Sequence, residues 1–266
     1  MEINVKKRWS SLLDEYNQNG LAIARNVIDS DLVMEGREHV AWLAARHPDL
    51  RPEQFGNTLM TSDAFWVRLI SDDRLLDVVE AFIGPNIGLF ASHYIAKPPF
   101  SGEPVLWHQD GSFWPLQPMD VITLWLSLDD VSAENGCMRV VPGTQHMDLQ
   151  KTMERLDIKN VLSASMDETM VDESKAVDVV LGPGDVSIHH PNVIHGSNAN
   201  TSSLWRRGLT IRYIPTSTKI VTQNDEIWPS AFLLRGQEVP GVNRYQPWPK
   251  YNENDSIPFR GCEAWR

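Results

Sequence analysis

The chain has 266 residues, 42% hydrophobic and 22% charged, with a formal net charge of −11; this composition builds a sizeable core and excludes wholesale disorder. An acidic surface repels phosphate backbones and anionic membranes, which argues against nucleic acid or a membrane as partner. Cys137 and Cys262 make neither a disulfide framework nor a zinc site, and no apolar signal region or membrane-length run is visible, so a soluble, reducing, cytoplasmic setting is expected.

Residues 5–19 are amphipathic and predict a helix ended by Gly20. LAIARNVI reads as a short strand. Ser30 or Asp31 caps a helix through about Ala45, with His47-Pro48 past its end. A third helical stretch runs from near Ser62 to Phe82 and stops at Gly84-Pro85. From residue 87 the pattern becomes short β-like runs: IGLFASHYIA, VLWHQD, VITLWLSL, CMRVVP, AVDVVL, DVSIHH and RGLTIRYI. Seven or eight such runs separated by turn residues predict a sandwich or barrel. The polar, Met-rich stretch 146–175 reads as an insertion or lid with helical turns. The tail from about 215 is rich in Pro, Trp and Asn and is expected to wrap the barrel. No internal repeat and no composition break mark a second domain.

The chemistry begins at WHQDGSFW, residues 107–114. His108 and Asp110 stand at i and i+2, which on a strand share one face. They fill two corners of a facial metal site, and one further histidine completes a 2-His-1-carboxylate triad with open positions. His-x-Asp alone is weak, because a hydrogen-bonded pair on a surface strand has the same pattern. The segment 183–215 strengthens it. A β-like run ends at His189-His190-Pro191, His195 follows in IHGS, and Arg206 stands eleven residues after His195. An antiparallel return from a turn at 196–203 would put Arg206 beside the strand carrying His195. A guanidinium there binds a dicarboxylate end-on through two parallel hydrogen bonds. A 2-oxo acid would take two open positions on iron, and dioxygen the last.

His108-x-Asp110, His195-Gly196-Ser197 and Arg206 together resemble the phytanoyl-CoA dioxygenase family, which includes ectoine hydroxylase-like enzymes. The likeness extends to AKPPFSGEPVLWHQD, to LWLSLDDVSAENGCMRVVPGTQH and to GPGDVSIHHPNVIHGSNANTSSLWRR, so it covers about 90–214. It implies one domain over residues 1–266, mainly β with flanking helices. A double-stranded β-helix, the cupin-like jelly roll, would form the core at about 86–215. A helix-rich part (about 1–85) would precede it and a C-terminal wrap (about 216–266) would follow. It implies Fe(II) on His108, Asp110 and His195, and 2-oxoglutarate held by Arg206 and Ser197 near Trp125. His93 aligns with a position lining the active site. The implied reaction uses dioxygen, releases succinate and carbon dioxide, and hydroxylates a C–H bond. Related halogenases carry Gly or Ala where Asp110 stands, so hydroxylation is expected over chlorination; desaturation, epimerisation and ring formation share the triad.

Competing assignments accompany each residue. His189 and His190 rival His195 as third ligand, but adjacent strand residues face opposite ways and Pro191 follows at once. One packed and one exposed imidazole is their bland reading. Arg207 rivals Arg206 and should point away from it. Arg212 shares Arg206's face if no bulge intervenes, and otherwise is a salt-bridged barrel residue. Phe113 and Trp114 line the substrate pocket or are core or lid aromatics. Lys97 and Asn57 are candidate cavity residues, with turn capping the alternative for Asn57. Cys137 reads as a small buried hydrophobe. The substrate expected is a small polar or zwitterionic metabolite, because no basic cluster near the motifs would hold a CoA ester. A non-catalytic ligand-sensing jelly roll and a metal hydrolase on the same barrel are the competing functions; the first would have lost a triad member or the arginine, and the second gains nothing from Arg206.

Overall fold

The computed structural model describes residues 9–265. Helix α1 (Ser10–Asn19) ends where expected. Gly20 takes φ 72°, and its N–H closes on the Tyr16 carbonyl, a left-handed cap that a residue without Cβ adopts freely. Residues 5–8 of the expected helix lie outside the described residues. Strand β1 (Leu21–Ala24) follows. Helix α2 (Ser30–Arg46) is capped by Asp29, one residue earlier than expected, through a 2.9 Å bond from the Leu32 N–H.

The stretch read as one helix from Ser62 to Phe82 is broken. A short helix, α3 (Asn57–Met60), precedes it, and the stretch itself holds two helices, α4 (Ala64–Ile70) and α5 (Asp73–Ile83). Asp63 caps α4 and Asp72 caps α5, each accepting from a backbone N–H of the helix that follows. Short acidic side chains that pass for a solvated helix face therefore serve as two helix starts.

The strands after α5 are β2 (Ile87–Tyr94), β3 (Val105–His108), β4 (Leu116–Gln117), β5 (Ile122–Ser127), β6 (Met138–Val141), β7 (Met153–Glu154), β8 (Ala164–Ser165), β9 (Val177–Val179), β10 (Val186–His189), β11 (Ile194–Ser197), β12 (Gly208–Pro215), β13 (Lys219–Ile220) and β14 (Leu233–Arg235). A six-stranded sheet in the order β1-β10-β5-β12-β2-β14 faces a four-stranded sheet, β3-β11-β6-β9. This is the expected jelly roll.

Period-two alternation divides the larger sheet between two cores. Leu124, Leu126, Ile188, Leu209, Ile211 and Tyr213 pack with Leu43, Phe65, Trp66 and Val67 of the helices. Trp125 faces the other way, toward Met138 and Val140 of the smaller sheet. The 146–175 insertion holds the β7–β8 hairpin and two 3-10 turns. It runs along the edge of β3, with Val161 N–H bonding to the Pro104 carbonyl and Met166 N–H to that of Trp107, so it covers that edge. In the tail, β14 extends the larger sheet beside β2, β13 pairs with β4, and Trp228 and Ser230 both bond to the Phe90 carbonyl. Among the described residues no helix is long and apolar enough to cross a membrane.

Between α2 and β2 lies a wholly buried polar chain. His39 contacts Tyr94 Oη at 2.9 Å and Asp63 Oδ2 at 2.7 Å, while Asp63 Oδ1 accepts from the Trp66 N–H. Asp63→Ala removes a cap and strands a buried imidazole donor. It should lower stability by about 2–4 kcal/mol, read from urea unfolding.

Candidate functional site

The two sheets enclose a cavity lined by His93, Ile95, Val105, His108, Asp110, Trp125, Met138, Leu162, His189, His195, Gly196, Ser197, Arg206, Thr210 and Arg212. Pairing of β3 with β11 places His195 opposite His108, which is how residues far apart in sequence meet. Their rings lie 4.1 Å apart. A backbone carbonyl can only accept, so each Nδ1–H donates to the carbonyl two residues earlier: His108 to Leu106 at 2.8 Å, His195 to Val193 at 3.0 Å. Both Nε2 lone pairs are thereby directed toward Asp110 Oδ1, at 3.4 Å and 3.9 Å. One ligand atom from each of His108, Asp110 and His195 falls within 4.8 Å of the others.

The convergence does not come from the pleat of one strand. Strand β3 stops at His108, and Asp110 opens a 3-10 turn, Asp110–Phe113; the turn swings the carboxylate back over the histidines. Burial alone would raise the Asp110 carboxyl, but the Arg212 guanidinium and contacts from His108 and His189 hold it well below the usual range. Burial, with the neighbouring His108, keeps His195 well below its ordinary value and so neutral. An anionic carboxylate with imidazoles presenting lone pairs is a donor set suited to a divalent transition metal.

Arg206 reaches the cavity by a route other than the one expected. Its strand, β12, pairs with β2 and β5 in the larger sheet rather than with β11. The ladder continues past Gly208, where Lys97 and Arg206 exchange backbone hydrogen bonds of 2.9 Å and 3.1 Å. Arg206 therefore approaches from the layer facing His195. The Trp125 ring lies directly over Gly208, where an added Cβ would come within 1.9 Å of it. The Arg206 guanidinium stands 5.0 Å from the Trp125 ring centroid. Arg206 is 2% exposed. Its Nη2 donates to the Ile95 carbonyl at 3.1 Å, and its Nε has no partner. Burial brings it down to about 10. Among the described residues no carboxylate lies within 4 Å of Arg206 or of Lys97. A buried guanidinium with no carboxylate in salt-bridge range has the chemistry to take an anion.

Of the other predicted residues, His93, Trp125 and Ser197 line the cavity, and Lys97, Phe113, Trp114 and Asn57 do not. Ser197 lines the cavity at the end of β11, and its Oγ accepts from Lys97 Nζ at 2.7 Å. Lys97 itself is not a lining residue. It is wholly buried behind Ser197, bonds also to the Asn198 carbonyl, and is held well below its usual value by burial and by the charge of Arg206. His93 lines the cavity beside Arg212 rather than Arg206. Phe113 is 42% exposed and lies edge-on to the His108 ring. Trp114 packs against Phe90 and under Arg212. Asn57 stands outside the cavity lining, because its Oδ1 is committed to the Ser92 N–H, tying α3 to β2. Arg207 points outward as alternation requires, making a two-pronged pair with Asp129.

Two lining residues carry more than their bland readings gave. His189 is not simply packed: its Nε2 lies 3.4 Å from Asp110 Oδ2. His190, half-buried, instead accepts from the Asn192 N–H. Arg212 approaches Asp110 at 3.8 Å. The bulge in this ladder falls after Arg212, so the alternation Arg206, Gly208, Thr210, Arg212 is unbroken, and it is the signal that finds Arg212.

The phytanoyl-CoA dioxygenase family model matches residues 16–208. The probable alpha-ketoglutarate-dependent hypophosphite dioxygenase of Stutzerimonas stutzeri is 35% identical over 148 residues, covering 54% of this chain and 51% of that protein. Human peroxisomal phytanoyl-CoA dioxygenase is 32% identical over 148 residues, 53% of this chain and 43% of the relative. The chain thus matches about half the length of these curated relatives. A solved apo structure of the non-heme monooxygenase ThoJ superposes with a TM-score of 0.76 at 20% identity, covering 92% of this chain and 91% of that one, which confirms the fold. With the family match spanning most of the jelly roll that carries the His108–Asp110–His195 cluster, the chain belongs to the phytanoyl-CoA dioxygenase family.

Proposed function

We propose that this protein is an iron(II)- and 2-oxoglutarate-dependent dioxygenase that hydroxylates a C–H bond of a small polar metabolite and releases succinate and carbon dioxide. One observation carries the reading: a metal-ready triad shares its cavity with a buried arginine that lacks an acidic partner. His108 Nε2, Asp110 and His195 Nε2 would hold the iron, and the backbone carbonyls of Leu106 and Val193 fix the two rings in the tautomer that ligation needs. When bound, iron supplies the activation of dioxygen that oxidative decarboxylation of the co-substrate drives.

The remaining work falls to the chain. Arg206 would take the distal carboxylate of 2-oxoglutarate through its planar fork, with the hydroxyl of Ser197, oriented by Lys97, beside it. Trp125 walls this end and excludes water. Asp110 fills the position a halide would need, so hydroxylation is favoured over halogenation. The small substrate named for the S. stutzeri relative supports a small-molecule role. A reducing, cytoplasmic setting is part of the same reading, supported by Cys137 and Cys262 standing as free thiols.

The test is succinate formation from 2-oxoglutarate by protein reconstituted with Fe(II) in the presence of oxygen, across a panel of small metabolites. Stimulation by one of them, with an oxygenated product and no major halogenated product when chloride or bromide is supplied, is expected. Absence of 2-oxoglutarate binding in the iron-loaded protein would remove the reading altogether.

A further inference from the structure

A row of side chains across three adjacent strands carries polar atoms with nothing to bind. In register, His189 of β10 lies opposite Thr123 of β5, and Thr123 lies opposite Arg212 of β12. Residues paired across antiparallel strands project from the same face, and His189 and Arg212 both line the cavity. All three are buried. His189 Nδ1, Thr123 Oγ1 and Arg212 Nε each lack a hydrogen-bond partner. Buried polar groups are satisfied as a rule, so two orphans on the cavity lining, with a third on the buried Thr123 between them in the row, mark a surface built for a ligand.

Charge points the same way. Arg212 Nη1 donates to His93 Nδ1 at 2.9 Å and to Thr210 Oγ1 at 3.1 Å. Neither partner is anionic, since burial and the charge of Arg212 hold His93 down to about 3. The only carboxylate within 4 Å of Arg212 among the described residues is Asp110, at 3.8 Å, beyond hydrogen-bond range. Asp110 shows Oδ1 to His108 and His195, and Oδ2 to His189 and Arg212. The row thus lies on the far side of that carboxylate from the two histidines. Arg206 and Arg212 are six residues apart on one strand face, so their backbones stand about 20 Å apart, with Trp125 over Gly208 between them. An anion gripped by Arg206 leaves Arg212 in need of another, because a buried cation without a hydrogen-bonded anion is costly.

We propose that this row anchors the primary substrate, and that the substrate carries a compact oxyanion, a carboxylate or phosphonate, held by Arg212 with the Thr123 hydroxyl beside it. With Nε2–H directed to Asp110, His189 keeps a lone pair at Nδ1, which accepts from a hydroxyl or amino group on the same molecule. The Trp114 ring, 5.1 Å from the guanidinium, backs the anchor. This assignment rests on the triad and Arg206 being the metal and co-substrate sites.

The experiment is calorimetric titration, without oxygen, of protein loaded with Fe(II) and saturated with 2-oxoglutarate. The probes are propionate, methylphosphonate and the neutral propionamide. One or both anions should bind and propionamide should not; which anion binds identifies the group. Arg212→Met should weaken anion binding by at least about 30-fold. Arg212→Lys, which keeps the charge and loses the fork, should weaken it less. Iron content and 2-oxoglutarate affinity should stay close to wild type in Arg212→Lys. Binding of neither anion while 2-oxoglutarate binds normally would overturn the anchor and leave the co-substrate reading standing. Equal anion binding in wild type and both variants would overturn it too. Loss of iron in Arg212→Met, with iron and full anion affinity retained in Arg212→Lys, would make Arg212 a positioning residue for Asp110 instead. Failure of wild type to bind 2-oxoglutarate would sink both readings together.

Discussion

His108→Ala, Asp110→Ala and His195→Ala should each lose iron affinity by more than about 100-fold, because even removing an outer partner of a metal ligand costs about 10–100-fold. Turnover should vanish with it. In each case two ligands remain of a group whose donor atoms lie within 4.8 Å, and two do not hold iron in a facial arrangement. Iron content after anaerobic loading, with succinate production alongside, checks this. His189→Ala is the control that separates neighbours. Its Nε2 faces Asp110 Oδ2 rather than the point where the other two rings converge, so it should retain iron. A metal-free His189→Ala beside a loaded His195→Ala would transfer the third corner of the site from β11 to β10.

Arg206→Ala should weaken 2-oxoglutarate binding by about 2–5 kcal/mol, the cost of leaving a buried charge unpaired, while leaving iron in place. Arg206→Lys should recover part of this, because the charge remains and the two-pronged geometry does not. Arg207→Ala should leave co-substrate affinity intact, since Arg207 is spent on Asp129 outside the cavity. Titration of the visible charge-transfer band of the iron(II) complex reads all three. Unchanged affinity in Arg206→Ala would sink the co-substrate assignment.

The parts of this site that were legible in the sequence are those fixed by local pattern. Two-residue periodicity along RRGLTIRYI puts Arg206 and Arg207 on opposite faces, and Arg212 on the face of Arg206; which face lines the cavity came from the family resemblance. The spacing His108-x-Asp110 predicts a pair facing one point through the pleat; in the structure the two side chains do converge, but a 3-10 turn delivers the carboxylate. What was not legible depends on pairing between distant segments. Nothing local states that β12 joins β5 and β2 rather than β11, so Arg206 was expected beside His195 and instead confronts it. Nothing local shows that Asn57 is used up on Ser92, or that Lys97 stands behind Ser197. In the helical layer, Asp63 and Asp72 were invisible as caps because the apolar periodicity runs on past both of them, and only the hydrogen bonds reveal two starts.

The division of the site between two layers has a thermodynamic corollary. His108 and His195 belong to the four-stranded sheet, and Arg206 to an extension of a strand in the six-stranded one. A molecule fixed to a metal at one end and to that guanidinium at the other ties the layers together as a non-covalent rivet. Its affinity then reports how well the layers keep their spacing, and its presence stabilises the closed sandwich by mass action, about 2.7 kcal/mol when free ligand stands at about 100 times its dissociation constant. Changes at Val140, which packs in the same cluster as Trp125 and does not line the cavity, would be felt first as looser grip on the rivet.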